Sequence, residues 1–306
     1  MARSLQLSGC ITALATPFDA SGALDPAAWL RLLRGQLAAG VNGLVVAGST
    51  GEAAMLAPAE FESLIRAAAE AVAGRVPVLA GAGLSGTEAT IEQCRRALGA
   101  GADGLLVATP PYVRPTQDGL RRHFEAVAEA VSAPIVLYNV PPRTGVDLKP
   151  ETAAALASDP RIVGIKEAVA EAGRMAALLA LRSAQFSVLS GDDGSACAAQ
   201  LAGADGVISV ASNVVPAAMA RLSQLARAGD AASARALDAE LQPLYAALAL
   251  EPNPIPAKAV LAALGQCEDR LRLPLLPLSS AHRAAAVAAA DLARALEARY
   301  SFRPAA

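Results

Sequence analysis

Short aliphatic runs alternate with longer Ala-, Leu- and Arg-rich stretches of helical period along most of this chain, as far as about Arg227. Eight of the short runs read as strands: Cys10–Ala15, Gly43–Ala47, Val76–Ala80, Gly104–Ala108, Ile135–Asn139, Ile162–Lys166, Phe186–Ser190 and Gly206–Val210. Each is followed by a helical segment, among them Pro26–Ala39, Pro58–Ala73, Thr87–Leu98, Gln117–Val131 and Pro216–Ala226, several opened by a proline whose missing N–H costs nothing at the first helical position. Before three strands stand the similar phrases Ala39-Gly40-Val41-Asn42-Gly43, Ala100-Gly101-Ala102-Asp103-Gly104 and Ala202-Gly203-Ala204-Asp205-Gly206, whose glycines end one helix and turn the chain into the next strand. Eight successive βα units predict an α/β fold, the TIM (β/α)8 barrel. A doubly wound open sheet competes, but no GxGxxG follows the first strand. Helical stretches near Ala231–Leu250, Pro256–Leu264 and Ala281–Arg299 predict a small C-terminal helical domain, residues 229–306, beside a catalytic barrel of residues 1–228.

Composition agrees with this layout. The chain is 54% hydrophobic and only 3% aromatic, so its core is built from Ala, Val, Leu and Ile, which suits helices layered on a parallel sheet. Net charge is −2, and no basic tract points to nucleic acid or an anionic membrane. Four scattered cysteines, Cys10, Cys94, Cys197 and Cys267, and two histidines, His123 and His282, form no metal motif. The N-terminus lacks a basic segment followed by an apolar core, and the uncharged run Gly35 to Gly51 is interrupted by five glycines and by polar side chains. Neither a signal peptide nor a membrane span is expected, and a cytoplasmic setting with a small-molecule partner is.

Lys166 stands out as one of only three lysines, inside the apolar run Ile162-Val163-Gly164-Ile165-Lys166-Glu167-Ala168. An amine buried among aliphatic groups loses the hydration of its charged form, which favours the free base that attacks a carbonyl. A strand-end lysine with a covered stem and a solvated charge is the other reading, and the run alone does not separate the two. In such a barrel the site lies at the C-terminal ends of the strands, and the unusual residues fall there. Gly48-Ser49-Thr50-Gly51-Glu52 follows strand two, with amides and hydroxyls suited to a carboxylate, or to capping the next helix. Thr109-Pro110-Pro111-Tyr112 presents a phenol after strand four. After strand five, Arg143 sits on a proline-braced loop suited to bidentate capture of a carboxylate, unless it is only a solvated charge. Tyr138 ends strand five next to Lys166 on strand six, about 4.8 Å away across the sheet. That places either a proton shuttle or a core tyrosine with its hydroxyl at the rim beside the amine. Glu167 points the other way and reads as structural; Asp192 and Asp193 diverge and read as a helix cap and a loop fastener.

Together with Thr12-Ala13, Thr16-Pro17-Phe18, Tyr138-Asn139-Val140-Pro141, Gly164-Ile165-Lys166-Glu167, Ser190-Gly191-Asp192-Asp193 and Gly206-Val207-Ile208-Ser209-Val210, these segments resemble the pyruvate-dependent class I lyases of the dihydrodipicolinate synthase and N-acetylneuraminate lyase superfamily over nearly the whole chain. Pro142-Arg143-Thr144-Gly145 and Glu251-Pro252-Asn253-Pro254-Ile255-Pro256-Ala257-Lys258 resemble the dihydrodipicolinate synthase branch. The resemblance implies that Lys166 forms an imine with pyruvate, that the derived enamine attacks aspartate β-semialdehyde, and that cyclisation releases 4-hydroxytetrahydrodipicolinate on the route to diaminopimelate and lysine. It implies roles for Tyr138 as proton shuttle, Ser49 as its link to Tyr112, Thr50 as holder of the pyruvate carboxylate and Arg143 as clamp on the semialdehyde. It further implies that Ile208 offers a backbone carbonyl near the nucleophile and that Gly191 leaves space. No metal or organic cofactor is implied. The implied assembly is a homotetramer, a dimer of dimers, with Tyr112 entering a neighbouring site.

Ser49 stands where many synthases carry Thr and sialic-acid lyases carry Ser. Pro111 replaces a frequent Tyr, and Ala53, Ala54, Pro58 and Ser85 occupy regions that are polar or aromatic in lysine-inhibited members, so lysine inhibition is expected to be weak or absent. A related aldolase or dehydratase acting on another 2-oxo acid is the alternative, and Arg143 discriminates, because a polyol acceptor favours neutral groups there. A non-catalytic small-acid-binding barrel is the third reading; it needs neither the amine of Lys166 nor the phenols.

Overall fold

The computed structural model describes residues 5–300. Strands β1 (Gly9–Ala13), β2 (Gly43–Val46), β3 (Val78–Ala82), β4 (Gly104–Ala108), β5 (Ile135–Asn139), β6 (Ile162–Glu167), β7 (Ser187–Ser190) and β8 (Gly206–Ser209) form a closed parallel barrel in chain order, with β8 pairing back onto β1. Closure rules out the doubly wound sheet. Around it lie α1 (Pro26–Ala38), α2 (Pro58–Val72), α3 (Thr87–Gly99), α4 (Gln117–Ala130), the short α5 (Pro141–Thr144), α6 (Pro150–Leu156), α7 (Ala172–Leu179), α8 (Asp193–Leu201) and α9 (Pro216–Arg227). Strands one and three shift from their predicted bounds by up to two residues, within the ordinary uncertainty of element ends.

The repeated phrases before β2, β4 and β8 do more than end helices. Gly40, Gly101 and Gly203 take positive φ of +78°, +103° and +114° as the chain turns back. The polar residue two places later then pins the preceding strand: Asn42 Oδ1 accepts from Cys10 N, Asp103 Oδ2 from Val78 N, and Asp205 Oδ2 from Val188 N, each at 2.9 Å. All three fasten the N-terminal end of the barrel, leaving the opposite end to the loops.

Ile11, Val45, Leu79, Leu106, Val136, Leu189 and Ile208 fill the interior, while Leu44, Leu105, Val107, Ile135, Leu137 and Val188 pack outward under the helices. One strand breaks this alternation. Ile135 pairs with Ile162 but Val136 pairs with Gly164, so β6 carries one extra residue against β5. Val163 therefore belongs to the interior cluster whereas Ile165, two residues on, packs on the helix side. The slip inverts the parity of everything beyond it, turning Lys166 inward and Glu167 outward.

The C-terminal helices α10 (Ala231–Leu248), α11 (Ile255–Ala263) and α12 (Arg283–Tyr300) share one apolar cluster with α8 and α9, in which Leu222, Leu241, Val260 and Ala290 are wholly buried. Among the described residues no helix is long and apolar enough to cross a membrane.

His123, on α4, is buried with Nδ1 3.0 Å from Thr87 Oγ1 and with Nε2 unpartnered. Burial holds its pKa down at about 4. Between the ordinary histidine value near 6.5 and about 4, the unfolded chain binds a proton that the native state refuses, so stability falls as pH drops through that window, by on the order of 2 kcal/mol. Thermal midpoints of wild type and His123→Gln at pH 7 and pH 4.5 should show a flatter acid loss in the variant. Parallel losses would remove His123 as a cause.

Candidate active site

At the C-terminal end of the barrel Tyr138 and Lys166 are register partners on β5 and β6, and Lys166 Nζ lies 4.3 Å from the centre of the Tyr138 ring. Both are nearly buried, at 7% and 5% exposure. Gly191, just after β7, is packed on the lysine stem: a Cβ there would stand 3.0 Å from Lys166 Cε and Cγ. The predicted juxtaposition of amine and phenol is therefore present, and Gly191 makes room for it. Ile208 lies in the interior cluster that includes Tyr138.

The outward neighbours hold this pair in place from behind. Glu167 accepts from both Asn139 Nδ2 and Arg174 Nε, the latter at 2.7 Å, and Arg174 also pairs with Asp147. Asn139 Oδ1 in turn accepts from Leu148 N at 2.9 Å. The ends of β5 and β6 are thus tied to one another and to α7, as the structural reading of Glu167 required. Asp192 caps α8, accepting from Ser195 N at 2.9 Å. Asp193 Oδ2 accepts from Val210 N and Ala211 N, fastening the turn after β8, and burial raises its pKa.

The turn Gly48–Glu52 leaves β2 beside the pair. Gly51 O accepts from Thr16 Oγ1 at 2.7 Å, and Gly81 on β3 has to be glycine because a Cβ would fall 2.2 Å from Ala47 O. Thr50 is buried and its Oγ1 accepts from Asn253 Nδ2 at 2.9 Å. The backbone carbonyl of the same Asn253 accepts from Arg143 Nη2 at 2.8 Å. One C-terminal residue therefore bridges the two residues predicted to hold carboxylates. Nothing in the sequence around Asn253 announces this role, because its partners lie 203 and 110 residues away.

A cavity of about 400 Å³ opens here, lined among others by Ser49, Glu52, Tyr138, Arg143 and Asn253, with Lys166 packed behind the tyrosine ring. Ser49 and Arg143 are exposed at its mouth. Tyr112 is not brought to this cavity. It stands 91% exposed on a backbone of φ +73°, with its N–H donating to Thr144 O at 3.1 Å, so its loop is tied to the Arg143 helix. The Ser49 to Tyr112 link is accordingly not assembled within one chain. A larger hollow of about 660 Å³ lies at the opposite end of the barrel against Gly9, Asn42, Arg221 and Arg227, and no lysine or cysteine lines it.

Fold and site together define a (β/α)8 barrel enzyme with a buried amine and a neighbouring phenol beneath a mouth where Asn253 joins Thr50 to Arg143. The family model of the dihydrodipicolinate synthetase family matches residues 6–293, and the chain belongs to that family. It is 60% identical over 294 residues to a 4-hydroxy-tetrahydrodipicolinate synthase of Stenotrophomonas maltophilia, covering 96% of this chain and 99% of the relative. A synthase of the same name from Xanthomonas axonopodis pv. citri is 62% identical, covering 96% and 97%. Among solved structures, the chloride-inhibited dihydrodipicolinate synthase of Acinetobacter baumannii in complex with pyruvate superposes with a TM-score of 0.92 at 39% identity, over 94% of this chain and 99% of that one. A dihydrodipicolinate synthase variant described as monomeric gives 0.91 at 41%, over 94% and 97%.

Proposed function

We propose that the chain condenses pyruvate with aspartate β-semialdehyde to 4-hydroxytetrahydrodipicolinate, in the diaminopimelate and lysine pathway. The observation that carries this reading is Lys166 against the Tyr138 ring, under a mouth where Asn253 ties Thr50 to Arg143. The Lys166 amine adds to the pyruvate ketone and loses water, giving an imine whose nitrogen accepts electrons when a C3 proton leaves. The resulting enamine carbon bonds to the aldehyde carbon, and Tyr138, with Ser49 behind it, moves the protons at imine and aldehyde. The amino group of the adduct then displaces the lysine, closing the ring. Thr50 and the turn amides hold the pyruvate carboxylate, Arg143 the carboxylate of the semialdehyde, and Ile208 O faces the reacting nitrogen. No metal or organic cofactor takes part in this scheme.

A homotetramer supplies what one chain lacks: Tyr112, exposed on a loop braced against Thr144, reaches the mouth of a neighbouring copy. Free cysteines and the biosynthetic role fit a cytoplasmic setting. The mouth wall at Ala53, Ala54 and Leu84 is apolar, so lysine at millimolar concentration should inhibit weakly or not at all; half-inhibition below 1 mM, about the lower bound of weak affinity, contradicts this.

The reading is tested by coupling condensation to NADPH oxidation through an added reductase. Turnover is expected, and Arg143→Ala should lower kcat/KM for the semialdehyde by about 10- to 100-fold, the worth of a charged hydrogen-bonded contact. Imine formation with pyruvate but no condensation would shift the reading to an aldolase or dehydratase with another acceptor.

A further inference from the structure

Among the described residues a second lysine is buried, and the chemistry above does not use it. Lys258 on α11 has no exposed surface, nor has Glu52, whose Oε1 accepts from Lys258 Nζ at 2.7 Å. Such a pair is an inefficient source of stability, because desolvation offsets the Coulomb attraction and apolar residues of like volume serve as well. Burial pulls the Lys258 ammonium below its usual range, and Glu52 opposes that pull.

The surroundings give the pair a different task. Glu52 closes the Gly48–Glu52 turn in a left-handed conformation, φ +56° and ψ +35°, which a non-glycine residue adopts only when its surroundings hold it there. Both of its carboxylate oxygens are tied, Oε1 to Lys258 and Oε2 to Arg272 N at 3.0 Å. Lys258 Nζ and the Arg272 guanidinium each lie 4.3 Å from the centre of the Phe18 ring, in the loop after β1. The turn itself closes through Gly51 N to Gly48 O at 3.0 Å, Glu52 N to Ser49 O at 3.2 Å and Ala53 N to Gly48 O at 3.2 Å. The conformation held at Glu52 therefore sets where Ser49 and Thr50 stand.

We propose that Lys258 is a positioning residue, which through Glu52 locks the Gly48–Thr50 turn in the shape that receives the carboxylate of pyruvate. The inference rests on the reading of Thr50 and this turn as the pyruvate cradle. Without the amine, only Arg272 N still holds the Glu52 carboxylate, and the turn that Glu52 closes at the cavity wall is free to shift.

Lys258→Met, Glu52→Gln and the double variant would be measured for KM of both substrates and for the pyruvate concentration that half-saturates borohydride trapping of the imine, with Thr50→Ala alongside. In Lys258→Met, both pyruvate measures should rise about tenfold while the KM for semialdehyde stays within about twofold, the signature of a lost binding contact on one substrate. The double variant should recover the thermal midpoint, as neutral replacements of buried pairs do, and keep the raised pyruvate KM. Unchanged pyruvate KM in a folded Lys258→Met or double variant, an equal rise in both KM values, or failure of all three variants to fold overturns the proposal. If Thr50→Ala itself leaves trapping unchanged, the cradle reading is what fails.

Discussion

Lys166→Met is expected to lose both turnover and the borohydride-trapped imine, whereas Tyr138→Phe should keep the trapped imine and lose about 10²- to 10⁴-fold in kcat, the usual worth of a positioned proton donor. Methionine keeps most of the lysine stem's volume against Gly191 and the Tyr138 ring, so the fold should survive and the loss report chemistry. Phenylalanine likewise keeps the ring over the amine and removes only the hydroxyl. The pair separates nucleophile from proton carrier because trapping reads imine formation and kcat reads the whole cycle. Mass spectrometry of trapped peptides and steady-state kinetics on both variants decide the matter. An adduct in Lys166→Met, or Tyr138→Phe turnover within about threefold of wild type, would sink the assignment.

Gly164→Ala should damage the enzyme from outside the cavity. A Cβ at this position would stand 2.5 Å from the carbonyl oxygen of Ser187 on the neighbouring β7, and backbone cannot yield as a side chain does. Relief requires β6 to separate from β7 or to lose its extra residue, and either movement turns Lys166 away from Tyr138. A displacement of an ångström is enough for a loss in kcat of about 100-fold, with an overpacking cost of about 1–3 kcal/mol in stability. Gly35→Ala makes the control: nothing lies within 4 Å of a Cβ there, inside α1, so helix propensity should stabilise by about 0.5–1 kcal/mol without touching activity. Equal kcat in Gly164→Ala and Gly35→Ala would show that the slip in β6 does not orient the lysine.

Much of this fold is legible in the chain because each βα unit announces itself locally. The glycine phrases before β2, β4 and β8 mark both the helix end and the strand start, and the apolar run of each strand needs no distant partner to be read. The Tyr138 to Lys166 contact was also within reach, since neighbouring parallel strands that end together bring their last inward residues together. The inward turn of Lys166 was not, because it depends on one extra residue in β6, visible only in the register against Val136. Nor was the bridge from Thr50 through Asn253 to Arg143, or the burial of Glu52 with Lys258, since these join residues separated by up to 206 positions. Tyr112 is legible as a phenol presented after strand four, but its distance from the cavity is not, because the sequence does not show where that exposed loop lies.

The tie between Glu52 and the C-terminal segment also imposes an order in time. All eight strands are complete at Ser209, yet Glu52 receives its partners only from Lys258 and Arg272, and Thr50 receives its own from Asn253. At about 5–20 residues per second these arrive seconds after the last strand has left the site of synthesis. Throughout that interval a closing barrel already carries Lys166 and Tyr138, but the left-handed Glu52 lacks both side-chain ties that hold it in the finished fold. On the proposed role of Lys258, the Gly48–Thr50 turn takes its final shape only after that later segment has emerged.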